Sequence, residues 1–465
     1  MMNLKRCRVR RRWARETIST EAIVRSLRAL GGEILSKVEK YLVVLTLVSF
    51  IVGILLARVS PSFGKAIASG VSGFMDAYDR VAPLTIFVII APALAEMLAT
   101  REKGRFGLHV TRWYAGRKAL ASVWGIAFTV LVFALPILPA RSASLGKALS
   151  QTILSTATMA IHSPYYLAMY AGLAVALVSL RVRGLYVVLR KSADVVEHAG
   201  QLFFPFVPLL MLAVGAHVYA LPQGLEQRFG SEVAALSQMN VWGMRLDPSD
   251  ATGMVFIYLL GSILVGIACF IWHLGLVGLC MHRSRRFSLR RYFRDFWVKA
   301  YPLLWATSSE TLATPLVLHL IKKDAPWVKG IVRRFVGGVG SYMDANGTII
   351  CVYVLAGLVA AILGLPFSLL EFVVSIPLVA LMSYGVPGMP GELIIFAGPI
   401  ALLMNVPEVT RPVFLALYIG LQIGLPDSFR TGANSTDDYL NAVLMNRDYE
   451  RSFMEAKEEA EVGQD

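Results

Sequence analysis

The chain has 465 residues, 56% of them hydrophobic and 16% charged, whereas a soluble domain carries about a quarter charged residues. That balance, with the apolar residues grouped in long runs, argues against a soluble fold and for lipid as the surrounding solvent. A formal net charge of +14 suggests nucleic acid only until the basic residues are located. They lie in short clusters between apolar runs, so no nucleic-acid partner is expected.

Residues 1–40 read as a basic cytoplasmic segment. They carry the cluster 5–15, and no cleavable apolar stretch follows within signal-peptide distance. The apolar runs 41–59, 81–98, 119–137, 164–180, 202–221 and 253–281 follow; each approaches or exceeds the ~20 residues that span a bilayer core as helix. Helix is expected because backbone groups in hydrocarbon must be satisfied within the segment, and these runs show no strand-like alternation. If they are crossings and the N-terminus is inside, the basic clusters 101–118, 181–191, 283–299 and 322–334 all fall on the cytoplasmic side. The connection 222–250 has mixed charge. Residues 447–465 read as an acidic cytoplasmic tail, and a multi-pass protein of the cell membrane is predicted.

The second half departs from simple crossings. The apolar stretch 297–321 is interrupted by Thr307, Ser308, Ser309, Glu310 and Thr311. A re-entrant hairpin keeps its basic flanks on one side, which a full crossing does not. The stretch 331–365 is broken by Asp344-Ala345-Asn346-Gly347-Thr348, residues that disfavour helix and place a carboxylate at membrane depth. A second hairpin is signalled in 367–404, where Gly385-Val386-Pro387-Gly388 stands between apolar arms. The stretch 413–444 carries Asp427, Arg430, Thr431, Asn434, Asp437 and Asp438. Helical spacing puts Asp427, Arg430, Thr431 and Asn434 near one face, with Asp438 one turn beyond. Successive polar breaks of this kind point to a binding site inside a transporter.

Arg430 is the leading candidate. A guanidinium in an apolar helix is costly without an anion, and its fork matches a carboxylate; the alternative is a structural ion pair with Asp427 or Asp437. Asp427 either receives a substrate ammonium or serves as that partner. Asp344, Asn346, Asn434 and Asp438 offer hard oxygen donors for an alkali cation. Glu310 is either a protonatable coupling group or simply wet. The four cysteines show no metal-ligand spacing and the seven histidines are scattered. No His-Glu-x-x-His motif or phosphate-binding glycine loop occurs, which argues against an intramembrane enzyme, a bound cofactor and ATP-driven transport.

At these residues the chain resembles the dicarboxylate/amino acid:cation symporter family, collinearly from roughly 253 to 445. Ser308-Ser309-Glu310-Thr311-Leu312 is similar to the family's serine-rich hairpin tip, and Gly385-Val386-Pro387-Gly388 to its second hairpin. Asp344-Ala345-Asn346-Gly347-Thr348 corresponds to its Asn-Met-Asp-Gly-Thr break, with the carboxylate moved by two residues. Asp427, Arg430-Thr431, Asn434 and Asp438 reproduce its last-helix pattern. The resemblance implies an all-α membrane protein of eight transmembrane helices and two re-entrant hairpins, working as an elevator and assembled as a homotrimer. It implies mainly scaffold helices in 41–252, including a third helix that belongs to the transport domain, and a transport core in 253–446. By the same resemblance Arg430, Asp427, Thr431, Asn434, Ser308, Ser309, Thr348, Val386, Pro387 and Gly388 hold the substrate. Gly340, Asp344, Asn346, Asn434, Asp438 and Ser383 hold the cation. Tyr342 stands where a small hydroxyl residue is common, and Val352 where some animal members carry a proton-bearing acid. The implied activity is import of glutamate or aspartate with Na⁺ or H⁺. A C4-dicarboxylate or cystine carrier of the same architecture, and a binding-only or anion-conducting relative, are the open alternatives.

Overall fold

The computed structural model describes residues 41–62, 101–133, 164–199, 207–229, 239–241, 244–307, 310–366, 369–385 and 393–451, with scattered positions between 66 and 162. The basic segment 1–40, part of the run 81–98 and the tail beyond 451 lie outside the described residues. In chain order the helices that position the site are α1 (Leu42–Val59), α2 (Arg101–Phe133), α3 (Pro164–Ser179), α4 (Arg183–Ala199), α5 (Val207–Phe229) and α6 (Ala251–Arg283). They continue with α7 (Val298–Thr307), α8 (Glu310–Asp324), α9 (Gly340–Met343), α10 (Asn346–Ile362), α11 (Leu369–Met382), α12 (Ile394–Leu403), α13 (Arg411–Gln422) and α14 (Leu425–Tyr449). A two-stranded antiparallel hairpin, Met239–Val241 with Met244–Leu246, precedes α6. In the turn that follows, the Ser249 hydroxyl and amide donate to Asp247 and hold its carboxyl below the usual carboxylate range. Asp250 caps α6 by accepting from the Gly253 amide at 2.9 Å.

Among the described residues, Gly104–Phe133 and Ala251–Arg283 are long and apolar enough to cross a membrane. A third span results if Arg411–Gln422 and Leu425–Tyr449, bent by 61° at their junction, are taken together. The outer faces fit lipid: on α1, Val44, Leu45, Val48, Ile51 and Leu55 are exposed, a dense apolar surface that water does not tolerate.

Two expectations change. The run expected over 119–137 belongs to a helix that begins at Arg101, so the basic cluster 101–118 is helical rather than a connection. Arg, Lys and Ala are strong helix formers and continue the apolar segment backwards. Of that cluster, Arg117 and Lys118 are buried in the protein rather than exposed. The stretch 413–444 is likewise two helices instead of one, because Gly424 takes a left-handed conformation (φ 89°) and Pro426 follows at once. The break expected at Asp344-Ala345 is present between α9 and α10; the one expected at 308–309 lies outside the described residues.

α10 is the axis of the core. Every side chain from Asn346 to Ile362 is buried except that of Ala361. α2, α6, α13 and α14 pack around it, and α7 and α8 close on α14. Beside this core α1 pairs with α5 through a glycine crossing. A Cβ on Gly53 would lie 1.9 Å from the Leu212 carbonyl oxygen, and one on Gly215 would lie 2.1 Å from that of Phe50. Helices without a hydrophobic driving force between them associate through such close backbone contact.

Gly215→Leu should therefore separate α1 from α5 and lower stability by about 1–3 kcal/mol. Gly184→Leu, at a site with nothing within 4 Å, should change little. Thermal unfolding of the detergent-solubilised variants checks the difference.

Candidate substrate and ion site

α14 is an unusual helix because it is polar and buried together. Asp427, Arg430, Thr431, Asn434, Ser435, Asp437, Asp438 and Asn441 are each at most 2% exposed. Polar groups so placed must find partners inside the protein. Its start is fixed first. The Tyr258 hydroxyl donates to the Ile423 carbonyl (2.8 Å) and accepts from the Leu425 amide (2.7 Å). A Cβ at Gly424 would meet Val214 at 2.3 Å and that hydroxyl at 2.7 Å, so only glycine fits there.

One turn on, three broken elements converge on Arg430. Its Nε donates to Asp427 Oδ1 (2.8 Å) and its Nη1 to Thr348 Oγ1 (2.8 Å), with Glu310 Oε1 at 3.5 Å from Nη1. Asn434 Nδ2 donates to the same Glu310 oxygen and to Thr348 Oγ1, and Asn434 Oδ1 accepts from the Gly347 amide. Glu310 sits in the first turn of α8, where the helix dipole favours a carboxylate. Thr348 and Gly347 sit in the first turn of α10. A guanidinium thus meets two carboxylates inside the protein, at the meeting of a hairpin arm, a broken helix and the last helix.

A second cluster lies beyond it. Asp344 ends α9, its Oδ1 accepting from Asn346 Nδ2 and its Oδ2 from Asn441 Nδ2 (2.6 Å). Arg117 reaches in from α2. Its Nη1 donates to Asn441 Oδ1 (2.7 Å) and to Asp344 Oδ2 (3.3 Å), and its Nη2 to Asp437 Oδ2 (2.6 Å). His273 Nδ1 lies 2.6 Å from Asp437 Oδ1, and the Tyr292 hydroxyl 2.9 Å from His273 Nε2. Asp437 is thus the partner of Arg117 and His273.

Most predicted residues fall in these clusters. Arg430, Asp427, Asn434, Thr348 and Glu310 are joined, and Asn346 bonds Asp344. Gly340 packs against Tyr114, whose hydroxyl would lie 2.5 Å from an added Cβ. Among the described residues, Asp438 Oδ1, Asn346 Oδ1 and Thr431 Oγ1 have no hydrogen-bond partner; they are hard oxygens of the type that hold small cations. Asp344 differs, since side-chain donors already occupy both its oxygens. Ser383 is buried in a turn packed against α9, yet its hydroxyl donates to the Ala380 carbonyl. Ser308, Ser309, Val386, Pro387 and Gly388 lie outside the described residues. Reading the sequence missed Arg117, Asn441 and the roles of Asp437 and His273. The one signal was that Arg117 and Lys118 directly abut an apolar run.

A core of broken helices meeting at buried charges, enclosed by apolar outer faces, defines a helical membrane protein of the transporter class. Residues 233–448 match the family model described as the Sodium:dicarboxylate symporter family. Its members are transporters, not enzymes, and its description names sodium and dicarboxylate. No curated protein matches the chain.

Removing one side of the second cluster should be costly. Asp437→Ala, which leaves Arg117 without its nearest carboxylate, should destabilise by about 3–5 kcal/mol. Unfolding in detergent measures it.

Proposed function

We propose that the chain is a secondary active symporter that imports acidic amino acids, glutamate or aspartate, driven by a Na⁺ or H⁺ gradient. In this reading it works as a homotrimer by an elevator movement of its transport core, with both termini cytoplasmic. The observation that carries the reading is Arg430: a guanidinium buried among α8, α10 and α14, with Glu310 and Asp427 as its acid neighbours. Glu310 stands where an incoming carboxylate goes. The substrate's side-chain acid replaces it on the Arg430 fork, and Asp427 receives the ammonium. Thr431, Asn434 and Thr348 line the pocket, and the tips at Ser308, Ser309 and Val386, Pro387, Gly388 enclose it. The coupling cation, a co-substrate, is held by oxygens of Gly340, Asn346, Ser383, Asn434 and Asp438.

Purified protein in liposomes should accumulate labelled aspartate or glutamate under an imposed Na⁺ or pH gradient. Arg430→Ala should lower affinity for acidic substrates at least tenfold more than for neutral ones, since a charge-assisted bidentate contact is lost. Equal loss for both would remove the carboxylate role.

A second reading, C4-dicarboxylate carriage, is favoured by one contact: Asp427 is bonded to Arg430 at 2.8 Å and so has a partner without any amine. The printed description of the family also names dicarboxylate. Asp427→Asn separates the two. Loss of aspartate uptake with succinate unaffected identifies Asp427 as the amine receptor. Uptake of succinate alone by the unmodified protein selects the dicarboxylate carrier.

A further inference from the structure

We propose that Arg117 is a built-in cation of the transport core, doing at Asp344 and Asp437 what a co-transported cation does at an acidic site, so that Asp344 takes no sodium ion. That a cation is co-transported at all rests on the proposed symport; the position of Arg117 does not. Asp344, Asp437 and Asp438 are buried side by side where α9 ends against α14, each at most 1% exposed. Carboxylates so close repel one another, and in a water-poor interior they need a positive charge at hand. Arg117 supplies it. Its side chain is 5% exposed and forms ion pairs with Asp344 (3.3 Å) and Asp437 (2.6 Å).

The fit leaves little room for a second cation at Asp344. Its two oxygens accept from three side chains, those of Asn346, Asn441 and Arg117. Asn441 also accepts from Arg117 Nη1 (2.7 Å) and from Trp113 Nε1 (3.0 Å). The guanidinium lies 5.5 Å from the Trp272 ring centroid, a further stabilising contact. Asp437 is held on its other oxygen by His273. The charge is tethered: α2 packs along α10 and against α9 and α11, so the cation moves with the core and is never released. Lys118, the next residue and fully buried, places Nζ 3.4 Å from the ring centroid of Tyr384, in the turn that carries Ser383. Two adjacent basic side chains of one helix thus face two places where oxygen donors were expected to await an ion.

A merely structural arginine and a tethered cation differ in what sodium does when the arginine is gone. The probe is sodium chloride against choline chloride at constant ionic strength, without substrate, on full-length protein in detergent. The readout is the thermal midpoint. Arg117→Gln should gain a sodium-specific rise exceeding the parent's by about 2 °C or more, and Arg117→Lys, which keeps the charge, should respond as the parent does. An identical response in Arg117→Gln and the parent overturns the proposal. Asp344→Asn gives a second reading that does not depend on the folding of Arg117→Gln. Its sodium response should equal the parent's, and a parental response that disappears with Asp344 overturns the proposal equally. Because no substrate is present, failure of symport itself is seen separately, as absent uptake in the liposome assay.

Discussion

The structure depends on keeping charge inside a helix that has no exposed face. α14 carries acids at 427, 437 and 438 and a guanidinium at 430, all out of water. Isolated, each such charge costs several kcal/mol even after relaxation. The arrangement of the surrounding elements follows from that cost. Glu310 on α8 and Thr348 on α10 complete the shell of Arg430, and Arg117 on α2 with His273 on α6 completes that of Asp437. The helices are broken where these partners are needed. A chain end at α8 or α10 offers a polar side chain and a dipole to the centre of the protein, which a continuous helix does not.

The two clusters are not independent. Asn346 bonds Asp344 in one, and the neighbouring Gly347 amide bonds Asn434 in the other. A change at the Arg430 fork is therefore four covalent or hydrogen-bonded links from Asp344, through Thr348, Gly347 and Asn346, and five from Arg117. Coupling between two ligands needs a contiguous element that both bias, and the short break between α9 and α10 is such an element. In a carrier of acidic solutes the same geometry gives the substrate and the charge balance of the core one shared backbone segment.

Much of this was legible in the residues. The spacing of Asp427, Arg430, Thr431 and Asn434 fixes one helical face whatever the tertiary structure, and that face is the one that meets Glu310 and Thr348. Asp344 and Gly347 disfavour helix strongly enough to mark the α9–α10 break. Other features were hidden for physical reasons. Arg117 sits in a cluster that charge counting assigns to a cytoplasmic connection, because counting has no knowledge of Asp344 and Asp437, more than 220 residues away in the chain. The kink at Gly424 was hidden because one glycine in an apolar run is tolerated in a helix. Only the Tyr258 hydroxyl and Val214, from distant helices, make its left-handed backbone necessary. The partner of Asp437 was likewise undecidable from spacing, since Asp437 and Arg430 lie two turns apart on the same helix.

In the proposed symporter, Arg430 offers its guanidinium to an anionic ligand by exchanging Glu310 for it. An experimental structure of the protein saturated with aspartate tests this most directly. The expected result is a ligand carboxylate within hydrogen-bond distance of the Arg430 fork, with Glu310 moved off Nη1 and Thr348 retained. A ligand bound elsewhere, with Arg430 still closed on Glu310 and Asp427, contradicts it.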